Sequence, residues 1–166
     1  MERAITISRE FGSGGRELGV KLAESLGIPF YDKELISMAA EESDMSEDAF
    51  LHYDENMPFI KDPLDRHFYS PFSSIYQVPM SDQIFLAQSR VIRKLADQGP
   101  CVIVGRCADM VLENSVNLFI YARMKDRIKR MNSLETGVDP VKMESRIREV
   151  DRKRKDYYQY YTGNEW

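Results

Sequence analysis

The chain is short of the residues that staple, ligate or anchor. It has two cysteines, Cys101 and Cys107, in or beside one apolar run; they offer neither a disulfide framework nor metal-ligand spacing. A reducing compartment suits them, so a cytoplasmic location is expected. The two histidines, His52 and His67, have no ligand-like company and receive no role. No apolar run approaches the roughly 18 residues of a membrane span, so no membrane partner is expected. The N-terminus runs straight into a β-branched segment, and no signal peptide is visible. A basic excess is missing too. The net charge is −4, and no RNA- or DNA-binding signature is present, which argues against nucleic acid as a partner.

What is present describes a globular domain. At 166 residues, one domain spanning 1–166 is the natural expectation. Hydrophobic content of 43% and charged content of 30% fit a soluble fold with a real core. The charge is divided along the chain. Residues 32–65 hold eleven acids and two lysines, whereas 123–155 hold twelve Lys/Arg and six acids. The basic third could hold a polyanion. The plainer alternative is a pair of solvated helices of mixed charge.

Periodicity predicts strands at 5–8, 28–31, 101–104 and 117–121. It predicts helices at 15–26, 33–42, 46–51, 81–97, 108–112, 124–134 and 139–158. Leu18, Leu22 and Leu26 mark the expected apolar face of the first helix. A continuous apolar run makes 101–104 a central strand buried on both faces. Between 54 and 79 the pattern fails: prolines 58, 63, 71 and 79 and scattered aromatics read as an irregular insert. Strands alternating with helices give an α/β fold with a parallel sheet. Ligands of such sheets sit outside the carboxyl ends of the strands.

The segment from Ile5 to Leu26 is the most informative. A β-branched run ends in a loop with Gly12, Ser13, Gly14 and Gly15, and the loop opens into a helix. Converging backbone N–H groups and a helix start form an anion cradle. A tight turn that needs glycine for conformation alone is the alternative. Arg16 sits where the helix dipole disfavours a cation, which makes sense if a bound anion offsets it. The standard spelling G-x-x-x-x-G-K-[ST] is not met, because Gly15 stands in the lysine position. Arg123, Arg127 and Arg130 fall on one helix face, and Arg154 lies in a second basic cluster. Arginine forks grip phosphate oxygens bidentately, although a basic helical face taken alone is more often solvated. The run Tyr157, Tyr158, Tyr160 and Tyr161 is expected to pack a helix end rather than to stack on a ligand.

These residues resemble the cytidylate kinase-like branch of P-loop nucleoside monophosphate kinases. The run 5–32 follows the bacterial cytidylate kinase opening without a gap. Arg93 falls on the family's mid-chain arginine, and Gly105-Arg106 resembles its Gly-Arg-Asp strand end. Arg127 and Arg130 resemble the lid helix, and Asp151 with Arg154 resembles the lid's returning arm. The likeness weakens between about 41 and 81.

The resemblance implies a three-layer sandwich of P-loop kinase-like topology with a helical lid over 123–158. Residues 33–98, insert included, would form an acceptor-side helical region. It implies phosphoryl transfer from ATP, with Mg2+, to a nucleotide or other small acceptor. Gly12, Ser13, Gly14, Gly15 and Arg16 would hold the donor phosphates, and Arg127, Arg130 and Arg154 would close over them. Asp32, Arg93 and Arg106 would face the acceptor.

The chain departs from that pattern at named places. Besides Gly15, Glu17 replaces the magnesium-binding threonine, Arg9 the first loop glycine, Ser8 an aspartate, and Cys107 the aspartate of Gly-Arg-Asp. Met38 stands where cytidylate kinases carry an acceptor-gripping arginine. Arg16 is the candidate stand-in for the lysine, and no metal ligand can be named. The family fold also continues with a strand and a helix where this chain stops at Trp166. Either the sequence is truncated or the sheet is one strand short; a missing strand would expose an edge that a second copy could cover, so a homodimer is compatible with the sequence. Two further functions stay open: a non-catalytic nucleotide or phosphate sensor on the same fold, and an interaction module working through the 54–79 insert.

Overall fold

The computed structural model describes residues 3–53, 78–135 and 139–166. The insert expected over 54–79, His67 and the expected turn at Gly137 therefore lie almost wholly outside the described residues. The elements run β1 (Ala4–Arg9), α1 (Gly15–Leu26), β2 (Phe30–Tyr31), α2 (Glu34–Ser43), α3 (Glu47–Tyr53), α4 (Met80–Gln98), β3 (Val102–Val104), α5 (Ala108–Val111), β4 (Ser115–Ile120), α6 (Met124–Leu134) and α7 (Pro140–Thr162). Among the described residues no helix is long and apolar enough to cross a membrane.

The four strands form one parallel sheet in the order β2-β3-β1-β4. Alternate side chains along each strand separate two cores, as a strand's period of two requires. Ile5, Ile7, Val102 and Val104 pack with Ala23 of α1 on one face. Ala4 and Ile103 join Leu35, Phe50, Ile84 and Ile92 of α2, α3 and α4 on the other. The result is an α/β fold of three layers. A third, smaller cluster of Met131, Met143 and Ile147 joins α6 to α7 and takes in Phe11.

The first helix seats itself differently from the leucine pattern. Leu18 and Leu26 are exposed, and the buried positions are Gly15, Gly19 and Ala23. The helix lies too close to the sheet for large side chains: a Cβ on Gly19 would come 2.9 Å from Phe30 Cε2 and 3.1 Å from Ile7 Cδ1. The second strand is only Phe30–Tyr31, shorter than expected. The last helix runs on to Thr162, with Asp139 as its cap accepting from the Val141 and Lys142 N–H groups. Its tyrosines do pack: Tyr161 stacks on Phe85 of α4 at 4.0 Å, with Tyr157 edge-on to both.

Candidate functional site

Three neighbouring parallel strands, β1, β2 and β3, end on the same side of the sheet, and a chemically loaded segment follows each. After β1 comes the glycine loop. Gly12 has φ +78° and Gly14 φ +90°, a region in which only glycine is at ease. Gly14 is the N-cap of α1, and no side chain caps that helix start. The first-turn N–H groups and the dipole's positive end are thus left for an anion. The Ser13 Oγ is buried in this loop without a hydrogen-bond partner among the described residues.

Two ion-pair systems hold α6 and α7 on the loop. Arg127, 4% exposed, donates to Asp151 Oδ2 at 2.6 Å and to the Phe11 carbonyl at 3.2 Å. Glu10 lies 3.4 Å from the same guanidinium and accepts from the Ala122 N–H. Asp151 in turn accepts from the Phe11 N–H at 2.7 Å. Arg130 reaches over the loop instead. Its guanidinium carbon lies 3.0 Å from where a Cβ on Gly14 would be, and it pairs with Glu17. Glu17 also accepts from Lys21, and that bond first, then the two cationic charges, holds its carboxyl below the ordinary range. Arg154 donates to the Arg9 carbonyl at 3.2 Å and lies over the Phe11 ring.

After β2 comes Asp32, 4% exposed. Arg16 Nε donates to its Oδ2 at 2.8 Å, and Arg106 Nη1 lies 3.5 Å from its Oδ1. Arg16 also lies over the Phe30 ring. The neighbouring Glu34 accepts hydrogen bonds from its own backbone N–H and that of Asp32, which lower its pKa. After β3, Gly105, Arg106 and Cys107 have φ of +77°, +55° and +54°. Two successive non-glycine residues in the left-handed region are strained, and such strain gathers at functional sites. The buried Arg106 donates from Nη1 to the Val104 carbonyl at 3.3 Å, and the same nitrogen faces Asp32.

A cleft of about 580 Å³ joins these segments. It is lined by Gly12, Gly14, Gly15, Arg16, Asp32, Arg106, Arg130 and Arg154 among the residues singled out in sequence. Ser13 and Arg127 lie within and beneath the loop rather than on the lining, and Arg93 is exposed on α4, apart from the cleft. Sequence reasoning missed Arg9, Glu10, Glu17 and Lys33 as lining residues. Arg9 and Glu10 fall within the 9–16 loop read as an anion cradle but are given no role of their own there, Glu17 stands out only as a departure from a motif, and Lys33 carries no local signal. The lining holds six cationic side chains and three carboxylates, so the cleft has a positive balance within an acidic chain.

The residues fit a phosphate group: positive-φ glycines, an uncapped helix start, the unpartnered Ser13 hydroxyl and arginine forks all converge. They do not make a protein-held magnesium site. Glu17 is engaged by Lys21 and Arg130, and Asp32 by Arg16 and Arg106. Among the described residues no group of three or more His, Cys, Asp or Glu could hold a metal ion.

Comparison with known proteins accords with this geometry. The model of the cytidylate kinase-like family matches residues 4–166. An uncharacterized protein from Eubacterium ventriosum of known structure is 29% identical, with a TM-score of 0.70 over 99% of this chain and 81% of its own. A shikimate kinase from Bacteroides thetaiotaomicron is 15% identical, with a TM-score of 0.53 over 96% and 83%. The protein TT1252 from Thermus thermophilus is 19% identical, with a TM-score of 0.51 over 93% and 84%. The last two likenesses are of fold. No curated protein matches the chain.

Proposed function

As the chain belongs to the cytidylate kinase-like family, we propose that its cleft carries out phosphoryl transfer from ATP to a nucleotide or another small acceptor. The observation that carries this is the convergence of a glycine anion cradle with the Asp32–Arg106 pair in one cleft. Phosphoryl transfer needs little covalent chemistry from the protein; it needs positioning and neutralisation of charge on the transferring group. Both requirements have residues.

In this reading, Gly12, Ser13, Gly14 and Gly15 take the donor phosphates through backbone N–H groups and the Ser13 hydroxyl. Arg130 and Arg154 neutralise charge from above. Arg127 acts beneath them: its pairing with Asp151 and its bond to the Phe11 carbonyl fix the loop on α6 and α7. Asp32 orients Arg16 and Arg106 towards the acceptor side. Arg93 has no support from the cleft for an acceptor role. Magnesium, if used, would come on the nucleotide phosphates, and no protein-held site is assigned to it. A cytoplasmic location accords with Cys101 and Cys107 both being buried and outside any disulfide among the described residues.

One observation favours the second reading, a non-catalytic nucleotide or phosphate sensor. The loop has no room for a side chain at position 15, since a Cβ there would lie 2.6 Å from Arg9 Cβ. A coupled assay of ADP release, run with ATP, magnesium and a panel of nucleotide and sugar acceptors, separates the two. Acceptor-dependent ADP release supports transfer. Tight nucleotide binding with no release under any acceptor supports the sensor.

A further inference from the structure

Position 15 is closed because another side chain already fills the space. A Cβ on Gly15 would meet Arg9 Cβ at 2.6 Å, Arg9 Cγ at 3.1 Å and Ile120 Cβ at 3.3 Å. The nearest of these atoms sits at the root of its side chain, so a rotamer change cannot clear it. Arg9 ends β1, in register with Ile120 of β4, and its carbonyl accepts from Arg154. Its position is therefore set by sheet pairing and a cross-chain hydrogen bond. From that fixed root the side chain lines the same cleft as Gly12, Gly14 and Arg130.

Arg16 lines the cleft as well, but its guanidinium donates to Asp32 at 2.8 Å and lies over the Phe30 ring, towards the end of β2. In the ordinary motif a lysine at the helix start reaches the donor phosphates. Here the glycine at that place leaves the room that the root of the strand-end arginine occupies.

We propose that Arg9 takes the place of the motif's lysine as a donor-phosphate cation beside Arg130 and Arg154, delivered from the end of β1 instead of from the start of α1. The inference rests on the reading that the glycine loop binds donor phosphates. Its chemistry follows from the arginine fork, which can take two phosphate oxygens at once and stays charged at any physiological pH.

Isothermal titration with ATP and with AMP tests this on the wild type, Arg9→Met, Arg9→Lys, Gly15→Lys and the exchange Arg9→Gly/Gly15→Lys. Arg9→Met keeps the aliphatic stem beside Gly15 and removes the charge. It should weaken ATP binding about tenfold or more, the scale of a lost charge-assisted contact, with far less effect on AMP. Arg9→Lys should retain most of the ATP affinity. Gly15→Lys should bind poorly or melt early, and the exchange should recover ATP binding. ATP affinity unchanged in an Arg9→Met protein of normal melting temperature would overturn the assignment. So would Gly15→Lys binding ATP more tightly with Arg9 in place. Should Arg9→Met fail to fold, Arg9→Lys against Arg9→Gln decides: ATP affinity kept by lysine and lost by glutamine supports Arg9, and equal affinity in the two overturns it. A wild type that binds no ATP would overturn the reading of the loop and the inference together, which sets that failure apart from failure of Arg9 alone.

Discussion

Arg127 and Asp151 form a pair 2.6 Å apart, and Asp151 also holds the Phe11 N–H at the crown of the glycine loop. One carboxylate thus ties the loop to both α6 and α7. Breaking a largely buried pair leaves an uncompensated charge. Asp151→Ala should destabilise the protein by about 3 kcal/mol, because Glu10 offers Arg127 only a longer contact. Urea unfolding measures it. A loss under about 0.5 kcal/mol would place Asp151 among ordinary surface residues.

Asp32 should matter in a different way from its partner Arg16. Asp32→Asn removes the carboxylate facing the buried Arg106 and should cost about 2 kcal/mol. Arg16→Ala, at an exposed side chain, should change stability by less than about 1 kcal/mol. Equal losses in the two variants would show that the pair does not face Arg106 as described.

The close seat of α1 on the sheet makes Gly19 intolerant of volume. Gly19→Val puts atoms into Phe30 and Ile7, and overpacking of this kind costs about 1–3 kcal/mol. Gly27, with nothing within 4 Å of its Cβ position, faces no such crowding, although its φ of +64° still disfavours other residues. A Gly19→Val protein melting with the wild type would mean that α1 sits further from the sheet.

Acid should weaken the fold through Glu17 and Glu34, both held below their ordinary value of 4.5. A carboxyl whose folded pKa is depressed adds stability above its unfolded value. That contribution is lost as pH falls through the folded pKa. The melting temperature should therefore drop as pH is taken below about 4.5, and Glu34→Gln should flatten part of the drop. A Glu34→Gln curve parallel to the wild type down to acid pH would remove Glu34 from the account.

Much of this was legible in the sequence because the strand-loop-helix run from Ile5 to Leu26 carries local signals. β-Branched residues, glycines and a helical repeat each point to the same structure. The α1 packing face was not legible: leucine spacing competes with Gly19 and Ala23, and only the distance to Phe30 decides which face is buried. Arg106 and Asp32 could be picked out by resemblance, but their meeting depends on β2 lying beside β3. Arg93 shows the converse, a motif match that is exposed on α4 and is not among the residues lining the cleft. Arg9 was visible only as a loop residue and a departure from a pattern, since the reason for it is the space above Gly15.

The most direct test of the central claim is calorimetric titration of the wild type and Gly14→Val with ATP, ADP and AMP. Gly14 has φ +90° and lies under the Arg130 guanidinium, so any side chain there strains the loop and fills the cradle. A phosphate-binding loop should give wild-type affinities falling from ATP to ADP to AMP, with ATP binding weakened at least about tenfold in the variant, the scale of one lost charge-assisted contact. Equal affinities for the three nucleotides, or unchanged ATP binding in Gly14→Val, would contradict the account.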